Sequence, residues 1–273
     1  MKVFISVDLE GIGGVVNRRH QAEEGREYEY ARRLMIEEAN AAVQGALEGG
    51  ATEVVVNDSH GDMANLLPEM LHREAMLISG SPKPLSMVEG VQTGCQAAIF
   101  IGYHAGSGTA EAVLDHTYVG RVVHQIRING RTAGEPAINA GVCGAFGVPV
   151  VMVAGDKAVT EEARALIPGV VTVAVKEGLG RLAAISMHPE KARAAIRKGA
   201  AEAVRNLNRV TPFKFSSPVE LEVDLLYTTM ADVAELVPGV RRTGPRTVAF
   251  SHEEYITVFK AMRAILTLAG TVA

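Results

Sequence analysis

The sequence predicts an α/β fold, with a mixed, largely parallel sheet flanked by helices and room for a smaller C-terminal lobe. Three observations point there. Short, continuously apolar runs recur at residues 2–7, 97–102 and 149–154, as expected of strands covered on both faces. Stretches rich in helix formers lie between and after such runs. The runs end in polar or glycine-rich loops, on the side where open α/β sheets bind ligands.

Taken in order, residues 2–7 (KVFISV) are β-branched and aromatic and stop near a glycine cluster, which reads as a buried strand. Residues 30–50 hold good helix formers and finish on Gly49-Gly50, a helix stop. A second strand over 52–57 runs into Asp58-Ser59-His60-Gly61-Asp62, and the run 97–102 leads into Tyr103-His104-Ala105-Gly106. Asn129-Gly130, a strong hairpin signal, lies between RVVHQIRI and RTAG, so an antiparallel excursion is expected there. The run 149–154 returns as a buried strand ending at Gly155-Asp156. Beyond it come a helix over 160–166, a strand over 170–175, a long helix over 189–207, a strand over 221–225 and a final helix near 253–268. The proline-containing segment 209–218 is the best boundary candidate. It divides an α/β metal-binding portion, 1–208, from a C-terminal α/β portion, 209–273, which can still belong to the same domain.

Composition narrows the partners. The formal net charge is −4 and no run of five or six basic residues occurs, so neither nucleic acid nor a membrane surface is expected as a partner. The N-terminus carries no signal-peptide pattern, and no apolar run of about 18 residues is present, so a cytoplasmic protein is expected. Cys95 and Cys143 are too few for a disulfide framework or a thiolate zinc site and read as buried free thiols.

The chemistry gathers at the predicted strand ends. Asp8 and Glu10 follow the first strand and point the same way if the extended conformation persists through Leu9. Two such anions repel unless they share a proton or a cation. His60 follows the second strand, His104 the third, and Glu135 lies just past the hairpin. Carboxylates mixed with imidazoles suit zinc, with manganese or cobalt also allowed by ligand type. Five ligands permit a two-metal site bridged by one carboxylate, with the metals about 3.5–4 Å apart. Singly, the acids read as caps and the histidines as satisfied loop residues; together, at strand ends, they read as ligands. His20, His72, His124, His188 and His252 are assigned to structure, and Asp156 to a turn.

Phosphate-binding readings fail on detail. Gly11-Ile12-Gly13-Gly14 has Val16 where a dinucleotide fingerprint has its third glycine, and Asp8 and Glu10 would repel pyrophosphate. Gly106-Ser107-Gly108 has no Gly-Lys-Ser/Thr ending. A phosphatase-like metal hydrolase and a noncatalytic metal- or peptide-binding scaffold stand as the competing classes.

SVDLEGIGG, EVVVNDSHGDMANL, LISGSPKPLSMVEG, FIGYHAG, LDHT, GEPAINAGV and VPVVMVAGD follow one another in order. Together they resemble the zinc-dependent D-aminopeptidase family associated with bacterial dipeptide transport operons. The likeness spans most of the chain and loosens beyond about residue 180. It implies two zinc ions per subunit, bridged by Asp8, with Glu10 and His104 on one and His60 and Glu135 on the other. It assigns the further catalytic role to His116 of LDHT. It also implies hydrolysis, by metal-activated water, of short peptides or amides with a free N-terminal D-amino acid, in ring-shaped homo-oligomers, decameric where the arrangement is known.

Overall fold

The computed structural model describes all residues except 22–24 and 26. The first half of the chain forms β1 (Lys2–Val7), α1 (Arg18–Gln21), α2 (Tyr28–Glu48), β2 (Glu53–Asp58), β3 (Ala75–Ile78), β4 (Ala97–Tyr103), β5 (Val123–Ile128), β6 (Arg131–Thr132) and α3 (Glu135–Ala145). The second half adds β7 (Val150–Asp156), α4 (Lys157–Leu166), β8 (Val171–Gly180), β9 (Ala183–Ser186), α5 (Pro189–Arg205), β10 (Val219–Leu225), α6 (Thr228–Ala234), β11 (Arg241–Arg242), β12 (Thr247–His252) and α7 (Tyr255–Gly270).

Two sheets result. The larger has the order β3-β2-β1-β4-β7-β8-β9, parallel throughout except for the antiparallel β8–β9 hairpin. β4 and β7 are buried along their whole length, and so is β1 after Lys2, which explains their predominantly apolar sequences. Helices α2 and α5 pack on each other and on this sheet, while α3 packs on β4, β7 and α7. The second sheet, β11-β12-β10-β5-β6, is antiparallel. It joins the hairpin expected at Asn129-Gly130, where both residues adopt positive φ (50° and 74°), to the C-terminal strands. The segment after residue 209 therefore completes a sheet begun earlier in the chain.

The topology selects where a site can form. From β1 the chain builds outward to β2 and β3 on one side, then returns to β4 on the other, so the order reverses between β1 and β4. A crevice opens at such a switch point, at the carboxyl ends of the strands. Asp8 and His104 are the residues immediately after those two strands.

The loop after β1 is pressed against the end of β4. Gly11 N donates to the Gly102 carbonyl at 2.7 Å, and Gly102 has φ +70°; a Cβ there would lie 2.1 Å from the Asp8 carbonyl oxygen. The loop is also held from below. Buried Lys176 on β8 donates from Nζ to the carbonyl of Glu10, to that of Ile12 at 3.0 Å and to that of Val15 at 2.6 Å. Glu38 on α2 accepts from Gly13 N at 3.0 Å. Burial lowers the Lys176 ammonium to about 8 and raises the Glu38 carboxyl to about 7.

Gly102→Ala should destabilise the protein by roughly 2–5 kcal/mol, combining left-handed strain with overpacking. Gly130→Ala, also at positive φ but with nothing within 4 Å of its Cβ, carries the strain alone. Urea unfolding of the two variants checks this: equal losses would show that the Asp8 contact does not matter.

Candidate metal centre

β1 ends at Val7, and the chain turns at once, with Ile12 N bonded to the Leu9 carbonyl at 3.1 Å. Extension through Leu9, the premise for aiming Asp8 and Glu10 together, is therefore replaced by a turn. The turn brings both carboxylates into the same buried space by another route. The reason is local: Asp8 Oδ1 accepts from Leu9 N at 2.8 Å, and the glycines after it allow a tight reversal against β4.

The other residues arrive from separate elements. His60 lies in the loop after β2, His104 after β4, His116 in the irregular segment before β5, and Glu135 at the first turn of α3, where Pro136 suits a helix start. Asp58 orders the His60 loop, accepting from Asn65 N, Asn65 Nδ2 and Leu66 N.

Asp8 presents a different oxygen to each of two imidazoles. Its Oδ1 is 3.5 Å from His60 Nδ1 and its Oδ2 is 3.7 Å from His104 Nε2. His60 Nδ1 is 3.0 Å from Glu10 Oε2, and His104 Nε2 is 3.4 Å from Glu135 Oε2. The His116 ring stacks on that of His104, with centroids 4.3 Å apart, and its Nε2 lies 3.9 Å from Glu10 Oε1 and 3.8 Å from Glu135 Oε1.

The outward ring nitrogens fix the tautomers. His60 Nε2 is 3.1 Å from the Gln21 carbonyl, His104 Nδ1 is 2.9 Å from that of Ala105, and His116 Nδ1 is 2.9 Å from that of Leu114. A carbonyl only accepts, so each of these nitrogens carries a proton; in a neutral ring the other points a lone pair inward, whereas in a charged ring His60 Nδ1 donates to Glu10 Oε2, its hydrogen-bond partner at 3.0 Å. His104 Nε2 is buried and makes no hydrogen bond, even with two carboxylate oxygens nearby. Lone pairs and carboxylate oxygens facing one another at these distances call for cations between them, and the nitrogen–oxygen donor set suits zinc.

Electrostatics agrees. Burial pushes the Asp8 carboxyl well up, and the neighbouring Glu10 adds to it. Burial acts the same way on Glu10 and Glu135, but the charge of His60 holds the first down, and that of His104 the second. Burial opposes the charged forms of His60 and His104, yet the facing carboxylates raise both, Glu10 leading for His60 and Glu135 for His104. The cluster favours positive charge at its centre.

Two donor sets come within 4.8 Å: Asp8, Glu10 and His104; and His104, His116 and Glu135. The shortest approaches pair His60 with Glu10 and His104 with Glu135, whereas the first set joins Glu10 to His104, so Glu10 faces both imidazoles.

The cavity above measures about 250 Å³, below the ~300–1,000 Å³ of drug-sized sites, and is lined among others by Asp8, Glu10, His60, His116 and Glu135. None of the five histidines assigned to structure lines it; His188 caps α5. Asp156 caps α4 through Val159 N at 2.8 Å, as a turn residue should.

Several supporting residues carried no sequence signal. Gln21 donates to Glu10 Oε1 at 2.7 Å, and Tyr118 N donates to Glu135 Oε1 at 2.6 Å. Lys176 reaches the loop from 166 positions away.

A family model described as Peptidase_M55, D-aminopeptidase, matches residues 1–264. The chain is 41% identical over 270 residues to a D-aminopeptidase of Bacillus subtilis (strain 168), covering 98% of both chains. A solved structure described as the Zn-dependent D-aminopeptidase DppA from Bacillus subtilis, a self-compartmentalizing protease, superposes with a TM-score of 0.95 at 40% identity, covering 99% of this chain and 98% of that one.

Purified protein loaded with zinc should hold two ions per chain, and Asp8→Ala should weaken retention of both. Elemental analysis of folded wild type and variant checks this. Absence of uptake by the wild type would overturn the metal centre, and a single ion would overturn the dinuclear form.

Proposed function

The chain belongs to the D-aminopeptidase family of M55 peptidases, and we propose that it is a zinc-dependent aminopeptidase releasing a free N-terminal D-amino acid from short peptides or amides. One observation carries the reading: three imidazoles converge on three buried carboxylates, in a small cavity at the sheet's switch point.

Asp8, Glu10, His60, His104 and Glu135 would hold two zinc ions, and Asp8, whose two oxygens face different histidines, would be the ligand they share. Zinc held there supplies Lewis acidity toward a peptide carbonyl and lowers the pKa of water toward neutrality. His116 serves catalysis: its side chain is 19% exposed against 1% for His104, and it lines the cavity. The Leu114 carbonyl holds its Nδ1–H, which leaves Nε2 to take the proton given up by the attacking water and pass it to the leaving amine, or, once protonated, to steady the developing oxyanion.

The assembly reading is a ring-shaped homo-oligomer, a decamer by family resemblance. Exposed Leu179, Leu182, Ile185 and Met187 on and beside the β8–β9 hairpin support burial against another copy. Free, buried Cys95 and Cys143 suit a reducing cytoplasm, and no helix among the described residues is long and apolar enough to cross a membrane. Residues 1–208 and 209–273 are read as catalytic and C-terminal portions of one body, since β10 pairs with β5.

Peptides beginning with D-alanine should be cleaved much faster than their L-counterparts, and acetylating the amine should abolish turnover. Matched D- and L-alanyl amides, short peptides and a phosphate ester decide the matter. Equal rates on both enantiomers would remove the D-assignment, and turnover of the ester alone would favour a phosphatase. His116→Ala should keep its zinc while kcat falls by about 10²–10⁴-fold. Near-wild-type kcat with the metal retained would make His116 structural.

A further inference from the structure

We infer that Arg263 is the anchor for the free C-terminal carboxylate of a short peptide, so that the cavity reads both ends of its substrate. Arg263, on α7, is the one lysine or arginine among the residues lining the cavity. Its guanidinium lies over the Tyr118 ring, 5.4 Å from the centroid, and among the described residues no carboxylate or carbonyl engages it. A half-buried guanidinium with its donors free, beside three carboxylates it does not pair with, is placed to meet an anion from outside the chain. Stacking on Tyr118 holds it there, and Tyr118 is itself fixed through its hydroxyl on Asn139 at 2.7 Å and its N–H on Glu135. The inference rests on the aminopeptidase reading, which puts the N-terminal end of the substrate at the metal ligands. An unblocked short peptide ends in a carboxylate, and the planar fork of Arg263 is the lining group that meets a carboxylate with two parallel hydrogen bonds.

The test compares D-Ala-D-Ala with its C-terminal amide, which differ only at the carboxylate. Arg263→Met should lower kcat/KM for the free acid by about 10–100-fold, mostly through KM, as expected for a lost charge-assisted pair. The loss on the amide should be at least about tenfold smaller. Arg263→Lys, which keeps the charge but not the fork, should recover part of the loss. Equal losses on acid and amide would make Arg263 a structural support of Tyr118, and no loss on either would remove it from the substrate's surroundings. Calorimetry on zinc-loaded protein with a reduced-amide analogue of the dipeptide, as acid and as carboxamide, reads the anchor without turnover. Tighter binding of the acid by the wild type, abolished in Arg263→Met, supports the anchor even if no D-peptide is cleaved, in which case the activity alone is refuted. Equal affinity of the wild type for both analogues overturns it.

Discussion

Asp8, Glu10 and Glu135 are buried together, and their mutual repulsion is the constraint that the surrounding structure answers. In a medium of reduced dielectric such a group of anions is tolerated only with compensating positive charge. Charged, the imidazoles of His60 and His104 supply part of it; neutral, they offer lone pairs to a metal instead. Lys176 adds an ammonium beneath the loop, bonded to main-chain carbonyls. Its charge reaches Glu10 and Asp8 through space while their carboxylate oxygens stay free to face the imidazoles and the cavity. Positive charge thus sits on two levels, one fixed by the fold and one reserved for ligands.

The sheet order explains why these residues can meet. Neighbouring parallel strands deliver Asp8 and His104 to adjacent positions, and β2 brings His60 beside them. Glu135 needs a different device, the hairpin and the start of α3. Each element that contributes a ligand also contributes to the buried sheet or packs on it, so the site inherits the stiffness of the core.

Asp8, Glu10, His60 and His104 were legible because apolar runs announce strands and the sheet's ligands gather at their ends. His116 was legible only through a motif, since the stretch around it has no regular structure and no periodicity to read. Helix α3 escaped notice because EPAINAGVCGA contains proline and two glycines. Those glycines serve packing: a Cβ on Gly141 would lie 2.6 Å from the Phe215 ring, and one on Gly144 would lie 1.7 Å from the Phe213 carbonyl. Strands β3, β9, β11 and β12 are short or only partly buried, and their mixed polarity gave no clear alternation. Lys176, Glu38 and Arg263 could not be found from sequence, because their roles exist only in contacts between distant segments.

The Lys176 clamp separates this site from small metal domains, in which binding the ion and folding the chain are one event. Here the ligand-bearing loop is tied by hydrogen bonds that a chelator cannot remove. The empty scaffold can therefore persist, and an incoming ion bears little of the cost of ordering it. A receptacle prepared in this way holds its donors at set positions, so it can select by geometry among divalent transition ions whose intrinsic affinities follow a common series.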